Sequence, residues 1–169
     1  MKFFAHDWQA SEGADELVVR YREQHLPAIL PRLPHALAEF ARGSSSAGEP
    51  LGIHDALVRR VVIGIPAARL GLELRAGDLA QGYADLDLEF RGVDLMRLDR
   101  RAWEHLAREP RTELLYDEID LEPDGRCVWR VLVWPKAELE IVFREFAWRR
   151  APQPNREFTR APDPYVEHS

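Results

Sequence analysis

From residue 83 to residue 91 the chain reads Tyr-Ala-Asp-Leu-Asp-Leu-Glu-Phe-Arg, a strict two-residue alternation that fits a strand and not a helix. Successive strand residues point to opposite faces, so Leu86, Leu88 and Phe90 share one side and Asp85, Asp87 and Glu89 the other. Such a segment belongs in a sheet with one apolar face to bury and one acidic face turned outward. The same period governs most of the chain after Ala56, with predicted strands at 56–65, 69–75, 83–91, 113–121, 127–134 and 138–147. Pro123-Asp-Gly125 supplies a turn between the fourth and fifth, and Pro135-Lys136 one between the fifth and sixth. Hairpin succession of this kind predicts an antiparallel sheet of about six strands.

The helical period is confined to three places. Ser11 is placed as an N-cap, and Ala14, Leu17, Val18 and Tyr21 follow at helical spacing toward a stop or kink near Pro27. Leu33, Leu37, Phe40 and Ala41 form a second stripe, with Pro34 in its first turn and Gly43 at its end. Gly43-Ser-Ser-Ser-Ala-Gly48 then reads as a flexible connector. Between the third and fourth strands Asp99 caps a third helix, Leu98 and Trp103 sit at staple positions, and Pro110 closes it. The expected architecture is α+β: N-terminal helices packed on one face of a curved, mostly antiparallel sheet, with one helix inserted between strands three and four. Residues 1–150 form a single domain, 1–43 helical and 52–148 sheet. The covered face takes Leu70, Leu72, Leu74, Leu86, Leu88, Phe90, Ile119, Leu121, Leu139, Ile141 and Phe143.

Residues 151–169 carry Pro152, Pro154, Pro162 and Pro164 and read as an extended tail without a core of its own. Restricted proline dihedrals lower the cost of ordering such a segment, and Phe158 and Tyr165 are its anchors. The tail is therefore expected to dock along the 138–147 edge strand or on a neighbouring subunit, making edge and tail the routes to a homo-oligomer.

Composition narrows the function classes. At 169 residues and 46% apolar content the chain supports one well-buried core. A net charge of −6 disfavours nucleic acid held by bulk electrostatics and favours a basic partner. Cys127 stands alone, so neither an intrachain disulfide nor a cysteine metal cluster can form, which fits a reducing cytoplasm. No run approaches the roughly 18 apolar residues of a membrane span, and the first residues turn acidic too early for a signal peptide. Of the 23 basic residues only Lys2 and Lys136 are lysine, a bias that fits a GC-rich bacterial genome.

The chemistry-bearing residues collect on the polar side of the predicted sheet. Glu73, Asp85, Asp87, Glu89, Glu118, Asp120, Glu122, Glu138 and Glu140 share it with Arg69, Arg75, Arg91 and Arg144. Three readings stand: a solvated face neutralised by arginines, a partner-binding surface, and a metal or catalytic site. For the last, Asp85 and Asp87 lie about 6.6 Å apart along the strand and suit one hard cation, with Arg69 or Arg75 to hold a phosphate. No other constellation is as complete. His54-Asp55 lacks further ligands, and His6, His35, His105 and His168 have no ligand spacing. His25 falls on the Tyr21 and Ile29 side of the first helix, as a half-buried residue. Cys127 alternates with Trp129 and Val131 as a packed residue. Ser44 to Ser46 lack a nucleophile-elbow context, and Gly64-Ile-Pro66 lacks the backbone donors of a phosphate loop. Trp148-Arg149-Arg150 reads as an exposed contact at a strand end.

Two resemblances attach to these residues. Asp85, Asp87, Glu89 and Arg91 resemble the acid-acid-base strand of the triphosphate tunnel metalloenzymes, though only over one strand and without that family's lysines. Met1-Lys-Phe-Phe with Trp8, His54-Asp55-Ala56, Tyr116-Asp-Glu-Ile119, and Glu138-Leu-Glu-Ile141 with Phe143 resemble a family of uncharacterised bacterial proteins, which implies a scaffold and no chemistry. In type the chain is also similar to small acidic immunity proteins of bacterial toxin systems. The expectation is a non-enzymatic cytoplasmic protein that binds a basic protein partner through Asp85, Asp87, Glu89, Glu118 and Asp120, with Arg69 and Arg75 beside them. It uses no cofactor, nucleic acid or membrane. The alternative is a metal-dependent hydrolase of a phosphorylated small molecule with Asp85 and Asp87 as ligands.

Overall fold

The computed structural model of the chain describes Phe3 and residues 14–43, 53–80, 82–134, 137–158 and 161–168. The Ser11 cap, Trp8, the 44–48 part of the connector and the Pro135-Lys136 turn lie outside them. Among the described residues one sheet holds eight strands: β1 (Ala56–Gly64), β2 (Arg69–Asp78), β3 (Gly82–Arg91), β4 (Glu113–Leu121), β5 (Cys127–Trp134), β6 (Ala137–Phe143), β7 (Glu145–Gln153) and β8 (Tyr165–His168). Their spatial order is β6-β5-β4-β1-β2-β3-β7, antiparallel throughout, and β8 pairs with β1 in parallel. The α+β class stands; the strand count rises from about six to eight.

The two additional strands have separate causes. The predicted 138–147 strand is divided at Arg144, which alone separates β6 from β7. These strands nevertheless end the sheet path on opposite sides. Two trans peptides span no more than about 7 Å, so the two edges must meet at one corner and the sheet must curl around its apolar face. Arg144 donates its N–H to the Arg91 carbonyl at 3.0 Å and Asp94 donates to Val142 at 2.8 Å, which fixes the corner. The other additional strand comes from the tail. β4 pairs with β1 only at Ala56 and Leu57, leaving the far half of β1 without a neighbour on that side. β8 takes the place, Val61 opposite Tyr165 through Gly64 opposite His168. The tail thus docks on β1, away from the predicted 138–147 edge, because that is where backbone groups lacked partners. Ala151-Pro152-Gln153 simply continue β7, an edge position that tolerates proline.

Parity placed the core correctly. Leu70, Leu72, Leu74, Leu86, Leu88, Phe90, Ile119, Leu139, Ile141 and Phe143 are buried, with Leu121 partly buried against them. Phe90 stacks on Trp129 at 5.3 Å between centroids and meets Phe143 and Phe146 at the corner. α3 (His35–Ala41) lays Leu37, Ala38 and Phe40 into this core. α4 (Arg100–Arg108) adds Trp103, Leu106 and Ala107, and its cap is Asp99, whose Oδ1 accepts from the Ala102 N–H at 3.0 Å.

The first helical run begins on the opposite face of the sheet from these helices and reaches their core only at its end. It comprises α1 (Ala14–Val19), a π-helical stretch over Arg20–His25, α2 (Leu26–Ile29) and a 3₁₀ turn over Leu30–Arg32. The Leu26 N–H bonds to the Tyr21 carbonyl, one residue further back than in an α-helix. Pro27 accounts for the widened turn: it has no N–H for the carbonyl four residues earlier, and its ring crowds that carbonyl. Tyr21 packs with Leu132, Leu17, Leu115 and Tyr116 in a cluster separate from the main core, while Ile29 and Leu33 join the main core. Leu132 and Tyr116 lie on the β4–β5 face opposite Ile119 and Trp129, so this run covers the outer face there.

Ending the chain after Phe158 removes β8 and buried Tyr165 and uncovers half of β1. We expect a loss of roughly 3 kcal/mol or more in urea unfolding and a gain in self-association. A shortened chain of unchanged midpoint contradicts this role for β8.

Candidate functional site

The seven predicted site residues do not form one site; they fall into three environments on the outer face. The first lies under the helical run. Glu118, Arg130 and Glu140 form one cross-strand row, and Asp120 projects beside them. Glu118 and Asp120 are only 1% and 8% exposed in their side chains. Arg130 reaches Glu140 at 2.8 Å, Asp120 at 3.4 Å and Glu118 at 3.5 Å. From above, the Phe3 N–H donates to Glu118 at 2.8 Å, His25 Nε2 stands 3.3 Å from Asp120, and the Tyr21 hydroxyl accepts the Ile119 N–H at 2.7 Å. Phe3 and Tyr21 rings pack on His25. Glu118 and Asp120, expected as contact residues, are buried members of a charge network in which Arg130, His25 and the Phe3 N–H approach their carboxylates.

The second environment is a lock on the tail. Asp85 accepts from Arg75 Nε at 2.7 Å with one oxygen and from Arg59 Nη1 at 2.7 Å with the other. Arg75, 5% exposed, also donates to the carbonyls of Asn155 at 2.9 Å and Glu157 at 2.6 Å. The Phe158 ring lies against both guanidinium groups, at 5.4 Å from Arg59 and 5.8 Å from Arg75. Asp85 and Arg75 thus hold the polypeptide leaving β7. A cation at Asp85 would have to displace two guanidinium groups, and Arg75 Nε and Nη1 are already committed to Asp85 and to the tail carbonyls. Among the described residues, no three His, Cys, Asp or Glu side chains are grouped to hold a metal.

The third environment is open. Along β2, β3 and β7, Glu73 stands directly across from Asp87, and Asp87 across from Arg149. Like charges directly opposed in a sheet are destabilising. Arg60 approaches Glu73 at 3.5 Å, Arg91 binds Glu89 through two donors at 2.8 and 3.0 Å, and Arg69 stands 3.7 Å from Glu89. Hydrogen bonds from Arg91 and the charges of Arg91 and Arg69 hold the Glu89 carboxyl below its usual range. The Asp87 side chain is exposed and makes no hydrogen bond or ion pair with the described residues. Gly71, Val62 and Ala147 leave the surface low between these side chains, giving a shallow depression of about 550 Å³ walled by Glu73, Asp87, Glu89 and Arg149. The face is a mixed array of acids and arginines.

Remaining candidates resolve as structural. Trp148, predicted as exposed, is half-buried with its ring 6.3 Å from that of Phe40; Arg149 is the exposed member of that motif. His54 lies 3.1 Å from Asp55 and edge-on to Tyr116. Cys127 is buried, and burial pushes its thiol up to about 11, away from nucleophilic use at neutral pH.

Two residues escaped the sequence reading. Arg59 points outward beside Arg60 because β1 carries an irregularity between Val58 and Arg60; the break in alternation at Arg59-Arg60 was its signal. Asp117 shares the Ile119 parity and so faces the apolar side, where its Oδ2 accepts from the Trp129 indole N–H at 2.8 Å. Burial, opposed by that hydrogen bond and reinforced by the Glu118 charge, raises its carboxyl to about 6. Comparison with family models, with curated proteins and with solved structures gave no match to this chain.

Two variants test this layout. Arg75→Ala leaves Asp85 short of a partner and two tail carbonyls without donors; we expect a loss of about 3 to 5 kcal/mol in chemical denaturation and protease cutting near residues 154–158. Unchanged stability contradicts the lock. Asp117 binds its proton more tightly folded than unfolded, so its contribution is greatest below about pH 4 and is lost as pH rises toward 6. Asp117→Asn keeps the acceptor without the ionisation. It should stabilise the protein by on the order of 2 to 3 kcal/mol at pH 7.5 and little at pH 4. Equal effects at both pH values contradict the assignment.

Proposed function

We propose that the protein is a non-enzymatic cytoplasmic binding protein, and that it takes a basic protein partner on the open β2–β3–β7 face around Glu73, Asp87 and Glu89. The observation that carries this reading is the directly opposed Glu73–Asp87 pair: two carboxylates one strand apart, the second exposed and, although Arg149 stands across from it on β7, closed into no ion pair among the described residues. An arginine or lysine from a partner relieves that repulsion, and the low floor at Gly71, Val62 and Ala147 leaves room for its side chain. Arg69 and Arg91, at the far end of the face, give the contact a direction by excluding cations there. A toxin-type enzyme with a cationic surface, as in the immunity systems, has the right chemistry. Cytoplasmic placement rests on the single cysteine, Cys127, a buried free thiol.

Affinity capture from the source organism, run in parallel with wild type and the Glu73→Lys, Asp87→Lys double variant, tests the reading. The wild type is expected to retain a basic protein that the variant loses, with association slowing roughly tenfold or more between low and physiological salt. Recovery of the same protein by the double variant contradicts it.

A further inference from the structure

β7 bonds to β3 on one edge, and on its other edge no strand lies among the described residues. Glu145, Ala147, Arg149 and Ala151 are exposed along it, and Phe146 and Trp148 face the core side. From Glu145 to Arg149 this edge turns the N–H and C=O groups of alternate residues toward a side where no described strand pairs with them, a template for another strand.

We propose that β7 pairs in antiparallel fashion with β7 of a second copy of this chain, about a twofold axis through Ala147. Directly opposed residues of a pair share a sheet face, so a twofold axis must pass through a residue and not between two. With the axis at Ala147, Glu145 of each copy faces Arg149 of the other, Phe146 faces Trp148, and the small Ala147 side chains meet at the centre. An axis at Arg149 or at Arg150 opposes an arginine to itself. At Trp148 or Phe146, neither Glu145 nor Arg149 meets an opposite charge. Charge complementarity therefore selects one register.

The chain's own breaks set the ladder's length. The β6–β7 corner at Arg144 turns the strand away on one side, so Arg150 of the other copy falls beyond the paired stretch. Pro152, which has no N–H to donate, also lies outside it. Five residues of each copy take part, from Glu145 to Arg149, so association is reversible and concentration-dependent. The depression beside Ala147, Trp148 and Arg149 then lies next to its symmetry mate, and the two open faces become one. The dimer stands or falls independently of the basic partner.

Sedimentation of the full chain up to tens of micromolar tests the pairing. The mass is expected to rise from 19.5 kDa toward twice that value. Glu145→Arg and Arg149→Glu, each alone, bring like charges together at two places per dimer and should weaken association roughly tenfold, and the double swap should restore it. For the register, Ala147→Cys is expected to give an oxidised covalent dimer and Ala151→Cys none; buried Cys127 does not compete. A wild type that stays monomeric throughout overturns the proposal, as do single reversals without effect. Cross-linking through Ala151→Cys as readily as through Ala147→Cys overturns it too.

Discussion

The corner at Arg144 is the constraint on which the rest depends. A single residue joins the strand that ends one side of the sheet to the strand that ends the other, so a flat sheet is unavailable to this chain. Curling gives the apolar face an inside, and Phe90, Phe143, Phe146 and Trp129 meet there with Phe40 from α3. Area removed from water is the dominant stabilising term, and it is available only because the two edges converge.

Curling also leaves the convex side with more charged surface than the chain keeps exposed. Over β4 and β5 the first helical run covers it, with Tyr21 and His25 brought onto Ile119 and Asp120 by the widened turn ahead of Pro27. At the near end of β2 and β3 the tail covers it, held by Arg75 and Asp85. Neither covers the stretch containing Glu73, Asp87, Glu89, Arg69 and Arg149, and beside it lies the edge of β7 that pairs with no described strand. The functional reading and the dimer both arise there, beyond the reach of the helical run over β4 and β5 and of the tail held by Arg75 and Asp85.

Much of this was legible in the sequence, for a local reason. The period-two runs show which residues face inward, and Leu70, Leu72, Leu74, Leu86 and Leu88 all obey them. The Asp99 cap and the Pro123-Asp-Gly125 turn are equally local, and Gly125 has the left-handed φ of 84° that the turn demands. What escaped was long-range. Nothing in 138–147 announces that Phe143 and Glu145 pair with different neighbours, and nothing near Tyr21 says that it covers Glu118 and Asp120 nearly one hundred residues away. Alternation correctly put Glu118, Asp120 and Asp87 on one face; it carries no information about which part of that face another segment will cover. The same holds for Asp85, whose acidic neighbours in sequence suggested a cation site and whose neighbours in space are Arg59 and Arg75.

Carbodiimide footprinting of the native chain, read residue by residue in a mass spectrometer, measures this division of the outer face directly. Asp87 and Glu73 are predicted to be modified rapidly. Glu118, Asp120 and Asp85 are predicted to react far more slowly, until denaturant releases the helical run and the tail. Glu118 and Asp120 reacting as fast as Asp87 in the native protein would contradict the account.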